Sequence, residues 1–222
     1  MLNIFKAIVF CLLLSPCILL GNGFLLKENL AYAERGDYIV TVRNKNYTLL
    51  VIREKSADAL QVEEITVPGQ RYRSPTWREW MAEGAPCCTA WVSYTIDIHS
   101  GEIRNFYSRL HGQTVPLTKQ ENLFTRLINL PFAPVPKYRQ RKKGSMWQPK
   151  MVVDGQRINN VNFSMFNTYW PNDGSELAGK LINIYLPDHS PFYPFYFPYW
   201  VEAAGMTGKA KMRVVDSGKH LQ

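Results

Sequence analysis

The chain has no Cys-x-x-Cys pair, no His-x-x-x-His spacing and no Gly-x-Ser-x-Gly elbow. The usual signatures of redox, zinc-hydrolase and serine-hydrolase chemistry are therefore missing from it. Cysteine is scarce, with four residues in 222, which is too few for a disulfide scaffold. Two of the four, Cys87 and Cys88, are adjacent. Neighbouring Cα atoms stand about 3.8 Å apart across a trans peptide, below the usual disulfide range, so these two do not bridge readily to each other. Histidine is equally thin: His99, His111, His189 and His220 stand far apart. Gly205-Met206-Thr207-Gly208-Lys209-Ala210 resembles a phosphate loop but lacks its first glycine and the Ser/Thr after the lysine. No metal or cofactor is expected, and no catalytic residue can be named. No segment repeats at a fixed period.

Charge is missing from the beginning. After Met1 to Lys6, the fourteen residues Ala7 to Leu20 carry none, a length that suits the core of an export signal. A spanning helix needs roughly 20 apolar residues, and Pro16 with Gly21-Asn22-Gly23 spoils a longer run. We expect residues 1–33 to hold a signal peptide, cut after Gly23 or after Ala33, with an uncleaved N-terminal anchor as the alternative. Leu14-Ser15-Pro16-Cys17 resembles a lipoprotein box, although Pro16 stands where a small residue is usual, and Cys17 as apolar filler is the plainer reading. A cut after Ala33 removes Lys6, Lys27 and Glu28, lowering the formal charge of +8 by one. About 190 residues then remain, enough for one core, so residues 34–222 are expected to form one β-rich domain with no transmembrane helix.

The remainder of the chain patterns mostly as strand. Tyr38, Val40 and Val42 alternate before an Asn44-Lys45-Asn46 turn and a return strand, Tyr47 to Arg53. In Ala59 to Val67 the apolar phase changes between Val62 and Ile65, which predicts a bulge near Glu63-Glu64. Ser74-Pro75 is expected to start a short helix carrying Trp77, Trp80 and Met81 on one face. Alternation resumes from Cys88 through Val92 and Ile96 to Ile98, which sets Cys88 toward the core and Cys87 on the other face with Trp91. The strand Glu102 to Arg109 comes next. Thr118 and Glu121 form a capping box ahead of a second helix with Leu123, Phe124, Leu127 and Ile128. Residues 131–150 are expected to be a long basic loop. Asp154-Gly155 is a hairpin signal, and further strands are expected at 157–166, 179–186, 199–203 and 209–215. The predicted class is mainly β (α+β): an antiparallel curved sheet or half-barrel with two short helices. This is similar to lipoprotein-carrier half-barrels, an analogy of fold that no motif carries.

Two segments bear on function. Lys137, Arg139, Arg141, Lys142, Lys143 and Lys150 form a basic cluster without a single acidic residue between them. Near an anionic lipid surface each such charge contributes about 1 kcal/mol. Export makes headgroups or acidic envelope polymers the natural counterpart and nucleic acid an improbable one. A loop that only keeps the chain soluble is the plainer alternative. The second segment holds Phe192, Tyr193, Phe195, Tyr196, Phe197, Tyr199 and Trp200, broken only by prolines. If prolines keep it extended, its rings cannot all enter one core, and some must line a cavity or meet a ligand. Rings that cap the end of the sheet are the plainer alternative.

Together these features predict an exported, periplasmic or secreted, non-catalytic envelope protein. Its concave sheet would bind a lipid or other amphiphile, or an anionic membrane surface. An assembly factor docking an envelope protein partner through residues 191–200 is the second expectation. A hydrolase with a dispersed site around His99 or His189 is the third.

Overall fold

The structure, a computed structural model, describes residues 23–116, 123–136, 149–188, 193–194, 196–203 and 210–221. Of the described residues, 47% are strand and 11% helix. Strand β1 (Phe24–Leu25) runs into a 3-10 helix (Leu26–Tyr32). Strands β2 (Tyr38–Arg43) and β3 (Asn46–Lys55) are joined by Asn44 and Lys45 at φ 49° and 65°. Two consecutive positive φ values make the two-residue turn whose twist matches a hairpin. Strands β4 (Ala59–Pro68), β5 (Ala90–Asp97), β6 (Ile103–Ser108) and β7 (Gln113–Thr114) extend this meander. Helix α1 (Trp77–Ala82) lies between β4 and β5 in the chain, and α2 (Leu123–Ile128) precedes β8 (Pro131–Pro134). A small hairpin, β9 (Met151–Val153) and β10 (Gln156–Ile158), turns at Asp154 and Gly155, φ 48° and 73°. A second meander comprises β11 (Phe163–Tyr169), β12 (Leu181–Pro187), β13 (Trp200–Ala203) and β14 (Ala210–Gly218).

Twelve strands make one antiparallel sheet in the order β1-β8-β11-β12-β13-β14-β2-β3-β4-β5-β6-β7, with β9 and β10 apart. The two meanders meet where β14 pairs with β2. Ile39, Leu50 and Val62 from the first meander share one core with Ile184, Val201 and Val214 from the second. The two halves of the sheet therefore curve around a common apolar interior. Leu26 and Leu30 of the 3-10 helix and Leu127 and Ile128 of α2 fill that interior. The opposite face of β2, β3 and β4 carries Val40, Leu49, Val51, Ile65 and Val67, which are covered by Trp77, Trp80 and Met81 of α1.

This double burial corrects the expected bulge at Glu63-Glu64. Strand β4 alternates without interruption: Leu60 and Val62 face the interior while Ile65 and Val67 face α1. Apolar residues on both faces of a strand imitate a change of phase. The register shift between these strands lies instead in β3, between Ile52 and Glu54.

Other boundaries move for local reasons. The cap of α1 is Thr76, not Ser74. Thr76 is extended (φ −135°, ψ 157°) and its hydroxyl accepts from Glu79 N at 3.2 Å, a contact worth about 1 kcal/mol. The start of the expected loop 131–150 is strand β8, paired with β1 and β11. Its prolines stand at its first and last positions, where a missing N–H costs least. The expected strand 157–166 is two strands, β10 and β11, in different sheets. Strand β5 begins only at Ala90, so the alternation does not reach back through the turn. Cys88 accordingly packs with Trp91 against the α1 side rather than with Val92 and Ile96. Cys87 is exposed at φ 62°, and both thiols are free. The 3-10 helix Leu26–Tyr32 is a third helical element inside the fold, with Leu26 and Leu30 fully buried. No helix among the described residues is long and apolar enough to cross a membrane.

Candidate functional site

A cavity of about 270 Å³ lies between the inner face of the sheet and a cover made by α2 and Phe197. Thr48 and Leu50 of β3 and Glu64 of β4 point into it. Glu64 sits directly opposite Leu50 on one side and Val92 on the other, so all three reach the same face. Phe106 of β6 and Met212 of β14 extend the wall, and Phe124 and Leu127 close it from above. Phe124 and Phe197 stack with centroids 5.6 Å apart at 20°. Thr41 and Thr48 and the exposed Arg43 contribute polar groups to the lining. The Thr41 hydroxyl donates to the Thr48 carbonyl at 3.4 Å, and the Thr48 hydroxyl lies 3.1 Å from that of Thr66.

Among the described residues, Glu64 is the one carboxylate in this lining. Protein packs around it, and the part of its side chain that stays open belongs to the cavity wall. Burial pushes its carboxyl above the ordinary carboxylate range, and a hydrogen bond donated by the Tyr94 hydroxyl at 3.2 Å offsets part of that rise. Burial and the Glu64 charge in turn hold the Tyr94 phenol well above its ordinary value. Tyr94 is fixed by stacking on Phe106, 5.7 Å and 11°. The result is an apolar chamber with one carboxyl whose proton affinity is raised by burial and one guanidinium in the rim. Among the described residues, no histidine, cysteine or serine lines it.

The aromatic segment folds differently from the extended course its prolines imply. Phe197 N donates to Pro194 O at 3.4 Å, so the chain curls into a turn. Tyr193, Tyr196, Phe197, Tyr199 and Trp200 are all buried, and among them Phe197 lines the cavity. Two of their hydroxyls are met inside the fold. Tyr193 donates to Phe197 O at 2.8 Å, and Tyr199 donates to Lys150 O while accepting from Val152 N, both at 2.8 Å. That last pair of contacts ties the end of the basic segment to the aromatic one. Of the basic cluster only Lys150 is described, and it is exposed. Phe192, Phe195, Lys137, Arg139, Arg141, Lys142 and Lys143 lie outside the described residues, as do His189 and the glycine pair at 205 and 208.

His99 does meet a carboxylate, with Nε2 3.3 Å from Asp58 Oδ1, but both side chains are largely open to solvent, 73% and 81%. The pair stands on a surface turn and is not enclosed by a cleft. Among the described residues no group of three or more His, Cys, Asp or Glu side chains could hold a metal ion. Sequence reasoning missed Glu64, α2 as a cover and Phe106. The one available signal was an acidic residue inside a strand that is otherwise apolar in alternation.

The family model described as CT021 protein matches residues 48–159, just over half of the chain. No curated protein matches. Among solved structures, a hypothetical protein CT021 from Chlamydia trachomatis is similar, with a TM-score of 0.64 and 20% identity over 90% of this chain and 94% of that one. At that identity the likeness establishes the β-rich fold.

Proposed function

This chain belongs to the CT021 protein family, and from its fold we propose an exported protein that holds a small anionic amphiphile, apolar end inward, in the chamber beneath α2. The observation that carries this reading is the chamber itself, apolar on most sides yet built around Glu64. When protonated, the Glu64 carboxyl can donate to a ligand carboxylate or phosphate oxygen, and Arg43 supplies a positive charge. At about 270 Å³ it falls just under the roughly 300–1,000 Å³ of small-molecule pockets. It therefore suits one short chain or ring, not a whole bilayer lipid. The basic residues 137–150 would bring the protein to the anionic surface from which such a ligand comes. For the export signal this reading takes the cut after Gly23, since a cut after Ala33 discards Leu26 and Leu30, both fully buried.

Calorimetric titration of the chain beginning at Phe24 with decanoate tests the reading. Saturable binding is expected, weakened at least tenfold by Val92→Trp, which fills the chamber, and severalfold by Arg43→Glu in the rim. Binding that ignores both changes would overturn it. Flotation with anionic vesicles, with and without the six basic residues neutralised, separates ligand capture from surface attachment.

A further inference from the structure

A second cavity, about 650 Å³, lies on the opposite face of the sheet between α1 and the β9–β10 hairpin, and among the described residues shares no lining residue with the first. We propose that this cleft binds a small organic ammonium ion, with Asp154 and Asp216 as its counter-charges and the Tyr72–Trp77 ring stack as its wall.

Two backbone devices build the acidic end of the cleft. Met212 and Val214 of β14 pack toward the main interior, and plain alternation would send Asp216 there too. The register shift between Val214 and Asp216 reverses the phase, so Asp216 shares the cleft lining with Tyr38. Bulges that re-aim a side chain in this way are characteristic of functional sites. Asp154 arrives from the hairpin turn, at φ 48°. Gly218 makes room for it, because a Cβ there would stand 2.5 Å from Asp154 Oδ1 and 2.6 Å from Tyr38 Cε1.

The polar groups at this end do not satisfy one another. The Tyr38 hydroxyl is 2.9 Å from Asp154 Oδ1 and 3.4 Å from Asp216 Oδ2. A phenol has one hydrogen and cannot serve both carboxylates. Asp216 Oδ1 accepts from Gly155 N at 3.1 Å and Ser217 N at 2.9 Å, while Oδ2 has the long contact from the shared Tyr38 hydroxyl at 3.4 Å. No described cation forms an ion pair with either carboxylate. Arg78, also in the lining, turns its guanidinium to His220 O and Lys219 O at 2.7 and 3.4 Å. Asp216 is 6% exposed, and burial with the neighbouring Asp154 charge raises its carboxyl above the ordinary range.

The other wall is aromatic. Tyr72 stacks on Trp77 at 4.0 Å and 24°, and Tyr47 meets Trp77 edge-on at 5.5 Å. Ring faces attract cations, and two carboxylates that share one phenol hydrogen have room for further N–H or O–H donors. A neutral polyol offers the donors without the charge, and a divalent metal wants more oxygen ligands than these two side chains supply. An alkyl- or arylammonium group meets both demands.

Isothermal titration of the full chain with benzylammonium, with benzyl alcohol as the neutral isostere, tests the proposal. Benzylammonium is expected to bind at least tenfold more tightly than the alcohol and to shift the Trp77 indole N–H resonance. Asp154→Asn and Asp216→Asn are each expected to weaken it tenfold or more, while fatty-acid binding in the first chamber stays unchanged. Asp154 is exposed on its turn, so its variant remains informative if the Asp216 variant does not fold. Equal binding of alcohol and ammonium, or full binding by D154N, would overturn the proposal.

Discussion

Glu64 is where the chain departs furthest from what a half-buried strand requires, and its ionisation is coupled to folding. Burial raises its folded value, so the folded chain keeps that proton at pH values where the unfolded chain has released it. The associated stability is complete below the unfolded carboxyl value of about 4.3 and is lost as pH rises through the folded one. Glu64→Gln removes the titration. Urea melts of the two proteins should agree most closely near pH 4 and diverge in favour of the glutamine variant toward neutrality, and parallel curves would show Glu64 to be freely solvated. Asp216 and Asp37 are shifted in the same direction by burial, so the comparison must be between variant and parent, not of the parent alone. Little at this scale is legible in the sequence. A Glu-Glu pair in a strand does not say that one member, Glu63, will be held by Arg53 and Arg109 at 2.8 and 2.5 Å while the other opens on a cavity.

Elements are more legible, because alternation and turn chemistry are local. The hairpins at Asn44-Lys45 and Asp154-Gly155, the apolar stripe of α1 and the position of α2 come directly from the residue pattern. Features that depend on the other layer of the fold do not. Burial on both sides of β4 imitates a bulge, and prolines hide β8. The helix at Leu26–Tyr32 resembles a polar spacer, since its two buried leucines are only four residues apart in a tract with Lys27 and Glu28. Leu30 is fully buried among the interior residues. Leu30→Ala should cost about 2–5 kcal/mol in denaturant unfolding, and a chain beginning at Glu34 should be less stable than one beginning at Phe24. Equal stability of the two chains would show that residues 24–33 are not part of the folded unit.

At the scale of the whole molecule, the last strand, β14, pairs with β2 near the start of the fold, so both cavities depend on joining segments far apart in sequence. Alternation predicts strands and a curved sheet, but the pairing of β14 with β2 and the descent of α2 and Phe197 onto the inner face are long-range facts with no local signature. The same pairing brings Asp216 to Tyr38, 178 positions away. The chamber beneath α2 and the acidic cleft beside α1 are thus separate products of one topology, on opposite faces of the sheet.

The most direct test of ligand capture is a set of intermolecular NOEs between ¹³C-labelled decanoate and the methyl groups of the folded protein. Contacts from the acyl chain to Leu50, Val92 and Leu127 are the expected result. Contacts confined to the surface, or to Val152 and Val215 in the opposite cleft, would contradict it.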